Sequence, residues 1–198
     1  MQQHVDEKRI GDYIVRIYQD QNPPSPREYD NFGKIVCFHP KYYLGDNHDY
    51  NENHYDSWDD MKKAIVEENN VGVILPLYLY EHGGLTISTS PFSCVWDSGQ
   101  IGWIYCTKEQ MSEDWIKLSG QEPSERCKIL LEGEVKTYDQ YLTGDVYGYK
   151  VFKAETCDKG CEHEEELDSC WDYYRVDACM EEGESIVNYY INKQKQTV

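Results

Sequence analysis

The sequence predicts an α+β fold: a mainly antiparallel sheet with about four helices packed on one face of it. Three observations point there. Strand-like segments fall in adjacent groups instead of alternating strictly with helices, which disfavours a parallel sheet. The helical segments carry N-terminal capping signals and apolar stripes at a spacing of about three to four residues. Turn-forming Gly, Pro, Asn and Asp cluster between the two kinds of segment. The expected order is β-β-α-β-β-β-α-α-β-β-α. At 198 residues the chain is long enough for one sizeable core, and we read residues 1–198 as a single domain. A weak boundary near Gly144 sets off a hairpin–helix subunit over 145–198.

The elements are justified in order. Gly11 to Tyr18 alternates and places Tyr13, Val15 and Ile17 on one face. Gln21-Asn-Pro-Pro-Ser-Pro26 excludes regular structure, because proline removes donors and holds the backbone extended. Gly33 to His39 reads as a second strand. Pro40 to Asp56 is rich in Asp, Asn, His and Tyr. Ser57-Trp-Asp-Asp60 then resembles a capping box, and Trp58, Met61 and Ile65 recur at helical spacing, so a helix runs from Ser57 to about Glu68. Asn69-Asn70 ends it. Val71 to Tyr80 is apolar on both faces, as in a central strand, and Pro76 inside it marks a bulge or an edge. Leu85 to Thr89 and Gln100 to Thr107 are further strands. Thr107 with Gln110 opens a helix striped by Met111, Trp115 and Leu118 and stopped by Gly120. Pro123-Ser124 opens a longer one, which buries Cys127, Leu130, Leu131, Tyr138, Tyr141 and Leu142 and ends at Gly144. Val146 to Ala154 and Leu167 to Tyr174 form a hairpin around an acidic, Cys-rich turn. The last helix, Asp177 to Lys195, turns Ile186, Val187, Tyr190 and Ile191 inward.

Composition narrows the function. The apolar fraction is 39%, low for a globular chain, but 18 Tyr and 5 Trp supply large buried areas. Net charge is −18, and Glu155 to Glu184 holds 12 acidic against 2 basic residues. A basic footprint for nucleic acid is missing, which argues against direct DNA or RNA binding. An acidic surface serves solubility; it also suits a protein that competes for a basic, nucleic-acid-binding partner. The opening MQQHVDEKRI lacks the apolar stretch of a signal peptide, and no run reaches the ~20 apolar residues that span a membrane. The eight Cys are therefore expected reduced, in a cytoplasm, rather than paired.

Val71 to Thr107 is the most distinctive stretch. The runs from Ile74 to Glu109 (ILPLYLYEHGGLTISTSPFSCVWDSGQIGWIYCTKE), Gly133 to Tyr149 (GEVKTYDQYLTGDVYGY) and Glu166 to Trp171 (ELDSCW) resemble a family of small proteins of unknown function. Those proteins recur in bacteriophage and mobile-element genomes, mainly with Gram-positive hosts. The similarity covers about Tyr13 to Trp171. It implies a phage-derived accessory protein acting inside a bacterial cell and carries no catalytic residues with it. The insert from Cys157 to His163 departs from the plainer acidic turn expected there.

Four constellations bear chemistry. Cys94, His82 and Asp97 share one Gly/Ser-rich loop and have the residue types of a cysteine hydrolase or transferase: a thiolate, an imidazole to activate it and a carboxylate to orient the imidazole. The spacing matches no cysteine-hydrolase signature, and the competing reading is a small buried Cys94 beside Trp96 with Asp97-Ser98-Gly99 as a turn. Cys157, Cys161, His163 and Cys170, with Cys179 nearby, form a zinc-type donor set; zinc is the one cofactor expected, and none is required. Free thiols, or a disulfide formed on oxidation, are the competing reading there. Asp49, Asn51, Asn53, Tyr55, Ser57 and Asp60 faintly echo a calcium loop but lack its glycine, and His39, His48 and His54 add metal-ligand types. Finally, carboxylates interleave with aromatics in Glu162, Glu164, Glu165, Glu166, Asp168, Trp171, Asp172 and Tyr173. Carboxylates spaced like phosphates would occupy a partner's Lys and Arg. The leading expectation is a non-enzymatic, DNA-mimic-like inhibitor. It would bind a basic host factor, such as a nucleic-acid-guided nuclease or restriction enzyme, through that hairpin.

Overall fold

The computed structural model describes residues 3–117, 120–157 and 159–196. In chain order the elements are β1 (Asp6–Ile10), β2 (Tyr13–Gln19), β3 (Lys34–Cys37), α1 (Trp58–Glu68), β4 (Val71–Glu81), β5 (Leu85–Ser88), β6 (Ser98–Thr107), α2 (Lys108–Met111), α3 (Asp114–Lys117), α4 (Pro123–Thr143), β7 (Tyr147–Thr156), β8 (Glu162–Tyr173) and α5 (Val176–Gln196). Short 3-10 turns lie at Pro26–Glu28 and Glu52–His54. The α+β class holds, with every strand pair antiparallel. The strands form two sheets of four, ordered β1-β2-β7-β8 and β3-β6-β4-β5, where the sequence led us to expect one. No described helix is long and apolar enough to cross a membrane.

The chain divides into two compact units, one of residues 25–143 and one built from both chain ends, 1–24 and 144–198. The hairpin–helix stretch 145–198 thus shares its unit with the N-terminal hairpin. In the end-built unit, α5 covers one face of the sheet. Tyr13, Val15 and Ile17 of β2 alternate inward and meet Tyr149, Val151, Cys179, Met180 and Val187. Gly183 sits mid-helix, where a Cβ would stand 2.5 Å from a Val15 methyl, so glycine here allows the helix to lie close on β2. β1 has no hydrophobic alternation and forms through its pairing with β2 around the Gly11-Asp12 turn.

In the 25–143 unit helices cover both faces of the sheet, not one. Ile35, Leu77, Leu79, Ile104 and Cys106 face α4 and its Cys127, Leu131, Val135 and Tyr138. Val36, Trp103 and Tyr105 face Met61 and Ile65 of α1. This two-sided burial explains why β4 is apolar on both faces. A register shift at Leu77/Tyr78 skips Ile101 and re-aims it to the α4 side. Pro76 is tolerated because β5 pairs only with Tyr78 to Glu81, leaving the outer side of β4 open at the proline. Ser57 caps α1, and Thr107 with Gln110 makes a full capping box at α2. The helix expected to continue through Met111 is broken at Ser112 into α2 and α3. Leu118, the Trp115 side chain and Asp158 lie outside the described residues.

Candidate functional site

The central loop joins β4 and β5 to β6 at one end of the sheet, where the Glu81 amide donates to the Asp97 carbonyl at 2.9 Å. Cys94, His82 and Asp97 do come together, in an order other than the expected relay. His82 Nδ1 lies 3.2 Å from Asp97 Oδ2, and the Cys94 thiol donates to the same oxygen at 3.7 Å. The carboxylate, not the imidazole, stands in the middle, so the thiol proton faces Asp97 rather than a base that would accept it. His82 is 71% exposed, so water competes for both of its nitrogens. The reading of Cys94 as a buried hydrophobe against Trp96 is also corrected: Trp96 is 93% and Val95 75% exposed, with Cys94 only half-buried.

The acidic hairpin is largely answered from within. Glu162 accepts from Arg9 at 2.6 Å, Glu164 accepts both arms of Arg16 at 2.5 and 2.6 Å, and Glu166 accepts from Lys150 at 2.8 Å. Arg16 also reaches Glu7 and lies 5.0 Å over the Phe152 ring. The Arg16 guanidinium holds the Glu164 carboxyl below the usual glutamate range. Trp171 packs on β7, where a Cβ at Gly148 would meet its ring at 2.3 Å. Tyr173 is half-buried with its ring 5.9 Å from Tyr149, and burial pushes its hydroxyl pKa up. Glu165, Asp168 and Asp172 bind no cation among the described residues. β8 is an edge strand, and its charge blocks pairing with further strands.

The zinc-type set does not converge. Cys157 and Cys161 flank the β7–β8 turn, whereas His163 stands opposite Glu155 and Cys170 opposite Tyr149. Seven strand positions separate His163 from Cys170, about 23 Å. Among the described residues no group of three or more His, Cys, Asp or Glu is arranged to hold a metal. The calcium-like oxygens serve the backbone: Asn51 accepts from the Asn53 amide at 3.0 Å, and Ser57 from the Asp60 amide at 3.1 Å. His39 stands 3.7 Å from Glu81, His48 bonds the Cys37 carbonyl at 2.9 Å, and His54 sits in a 3-10 turn.

The segment read as a polar loop, Pro40 to Asp56, lines an open concavity. Two clefts of about 660 Å³ and 670 Å³ share Tyr43, His48, Asp49 and Tyr50 and so run into one groove. Tyr42, Tyr43, Tyr50 and Tyr55 line it with Asp49, Glu52 and Glu68, and Lys34 is the one Lys or Arg lining it among the described residues. Tyr43 is 96% exposed. An ion cluster beneath fixes this loop. The Arg27 side chain, only 5% exposed, binds Asp46 at 2.7 and 2.9 Å, Glu134 of α4 at 3.0 Å and the Gly33 carbonyl at 2.7 Å. Burial opposes its charge, yet the two carboxylates hold its pKa above the usual arginine value. The Gly45 amide donates to the Tyr138 hydroxyl at 3.0 Å, a second tie to α4. The crowding of Tyr, Asn, Asp and His was the signal for this groove; Arg27, far from it in composition, gave none.

No family model matches the chain, and no curated protein or solved structure shows significant similarity to it.

Proposed function

We propose that the protein is a binding protein, not an enzyme. Its partner is a basic, nucleic-acid-binding factor of a bacterial host, such as a defence nuclease, and the groove receives cationic side chains of that partner. One observation carries this reading: an open groove lined by tyrosines and by Asp49, Glu52 and Glu68, which form no ion pair with a Lys or Arg among the described residues, while the fourth lining carboxylate, Asp46, is held by Arg27. Tyrosine faces and carboxylates together favour Lys and Arg through cation–π and ionic contacts. The 25–143 unit supports it further, with 20 acidic against 10 basic residues for a net of −10. The resemblance to phage-borne proteins supports a host target that such a protein would inhibit. The hairpin residues Glu165, Asp168 and Asp172 add long-range attraction.

The test is capture of basic proteins from a bacterial lysate by the full chain, followed by titration of the captured protein at rising salt. Binding should weaken with salt and fall when Asp49→Lys and Glu52→Lys are combined. Absence of binding at low salt, or indifference to the double reversal, sinks the reading. A second reading, a cysteine-dependent enzyme, keeps one observation in its favour, the contact of Cys94 and His82 with Asp97. Cys94→Ser separates the two, because it removes a nucleophile and leaves the groove intact.

A further inference from the structure

The β7–β8 turn carries chemistry that neither the groove nor the strand carboxylates use. Its sequence is Cys157-Asp-Lys-Gly-Cys161. Gly160 adopts φ +79°, a backbone conformation that costs glycine nothing and a larger residue about 1 kcal/mol. The Gly160 amide then donates to the Cys157 carbonyl at 2.8 Å, and the Cys157 amide donates to the Cys161 carbonyl at 2.9 Å. Cys157 therefore stands opposite Cys161, directly beyond the Thr156–Glu162 pair. Residues facing one another across antiparallel strands have Cα atoms about 4.5–5.5 Å apart, inside the span of a disulfide. The backbone at Lys159 and Cys161 favours the charged form of the Cys157 thiol and lowers its pKa. Cys157 is half-exposed and Cys161 exposed.

We propose that Cys157 and Cys161 form a redox-active dithiol, oxidised reversibly to an intramolecular disulfide by a low-molecular-weight disulfide. First the Cys157 thiolate attacks one sulfur of that disulfide; a new S–S bond forms, the old one breaks, and the departing thiolate takes up the proton that Cys157 released. The Cys161 thiolate then attacks the Cys157 sulfur of the mixed disulfide and expels the second thiol, which takes the Cys161 proton. The two protein sulfurs lose two electrons and the two reagent sulfurs gain them, so no further oxidant is needed.

The division of labour follows from the surroundings. Backbone amides stabilise negative charge on Cys157 and hold its thiol below the usual range, which makes it the attacking group. Burial does the opposite elsewhere: it pushes Cys37, Cys106 and Cys179 up to about 12. Cys170 is exposed too, but it lies nine strand positions from Cys161, about 30 Å away, and cannot resolve the mixed disulfide. The dithiol stands independently of the groove reading, since no residue is shared.

The experiment uses the full, reduced chain treated with glutathione disulfide over a series of glutathione ratios, acid-quenched and read by intact mass and peptide mapping. The wild type should become two hydrogens lighter through a Cys157–Cys161 link and be restored by dithiothreitol. Cys161→Ser should stall as a glutathione adduct on Cys157, and Cys157→Ser should react roughly tenfold more slowly. Limiting iodoacetamide on the unsubstituted protein should label Cys157 before Cys170, a readout that needs no variant. Persistent glutathione adducts on the wild type, a link from either residue to another cysteine, or Cys170 labelled first would overturn the proposal.

Discussion

In β8 the carboxylates of Glu162, Glu164 and Glu166 each meet a cation from another strand of the same sheet, whereas Asp49 and Glu52 line an open groove with no such partner among the described residues. Both stretches look alike in composition, acids interleaved with tyrosines. Their surroundings differ because β8 is laid beside β7, within reach of Arg9, Arg16 and Lys150 across the same sheet. The groove loop is instead held from below, by Arg27 through Asp46 and by Tyr138 through the Gly45 amide, while Asp49 and Glu52 make no ion pair with a Lys or Arg among the described residues. Net charge alone does not distinguish a self-neutralised edge from a surface that awaits cations; the position of the nearest guanidinium does.

The sharpest way to break the comparison is Arg27→Ala. It strands Asp46 and Glu134 without their buried cation and frees the amides of Ile35 and Gly33 from a fixed carboxylate geometry. A loss of about 3 kcal/mol in urea unfolding is expected. A loss under about 1 kcal/mol would mean that the cluster does not hold the groove. Next comes charge reversal. Asp49→Lys with Glu52→Lys should weaken binding of a basic partner at least tenfold, about 1.4 kcal/mol, while Glu162→Lys with Glu166→Lys should weaken it less. The reverse ranking would move the contact surface to the hairpin. Arg16→Ala is smaller, about 1 to 2 kcal/mol of stability, because its partners remain partly hydrated.

Glu164 adds a pH signature to the hairpin side. Arg16 lowers the folded pKa of Glu164 below its unfolded value. Its contribution is therefore fully present above the ordinary glutamate range and is lost as pH falls through the lowered folded value. The stability gap between wild type and Glu164→Gln should close as pH drops from about 6 to about 3. A gap independent of pH would show that the Arg16 contact matters only for packing.

Much of this fold was legible where the signal is local. Ser57, Thr107 and Gln110 announced their helix starts, Pro76 its missing partner strand, and the two-sided apolarity of β4 its burial. The split into two sheets was not legible, because it rests on pairing β2 with β7 across most of the chain, and nothing local in Tyr13 to Gln19 names Tyr147 to Lys153 as partner. β1 escaped for a related reason: Asp6 to Arg9 is all charged, and only its neighbour makes it a strand. At the central loop the three residues do lie together, but the order of contact depends on backbone geometry, which put Asp97 between Cys94 and His82. The hairpin glutamates were read as free because Arg9 and Arg16 lie about 150 positions away in sequence.

The smallest predicted effect tests whether β8 is built mainly as an edge. Asp172 has φ +69°, at the irregularity where Tyr147 pairs with Tyr173 and Tyr149 with Cys170. Aspartate tolerates this left-handed region better than most residues, yet glycine enters it without a Cβ clash. Asp172→Gly relieves that strain but widens the unfolded ensemble, so a net gain of about 0.5 kcal/mol or less is expected. Asp172→Asn keeps the shape and removes the charge. If conformation governs the position, Asn should match the wild type in urea midpoint and Gly should equal or exceed it. If Asn gains as much as Gly, removal of the Asp172 charge is the cause, and the strand is charged at a cost to its own stability. That second outcome would favour a role for these carboxylates outside the fold and narrow the contrast between hairpin and groove.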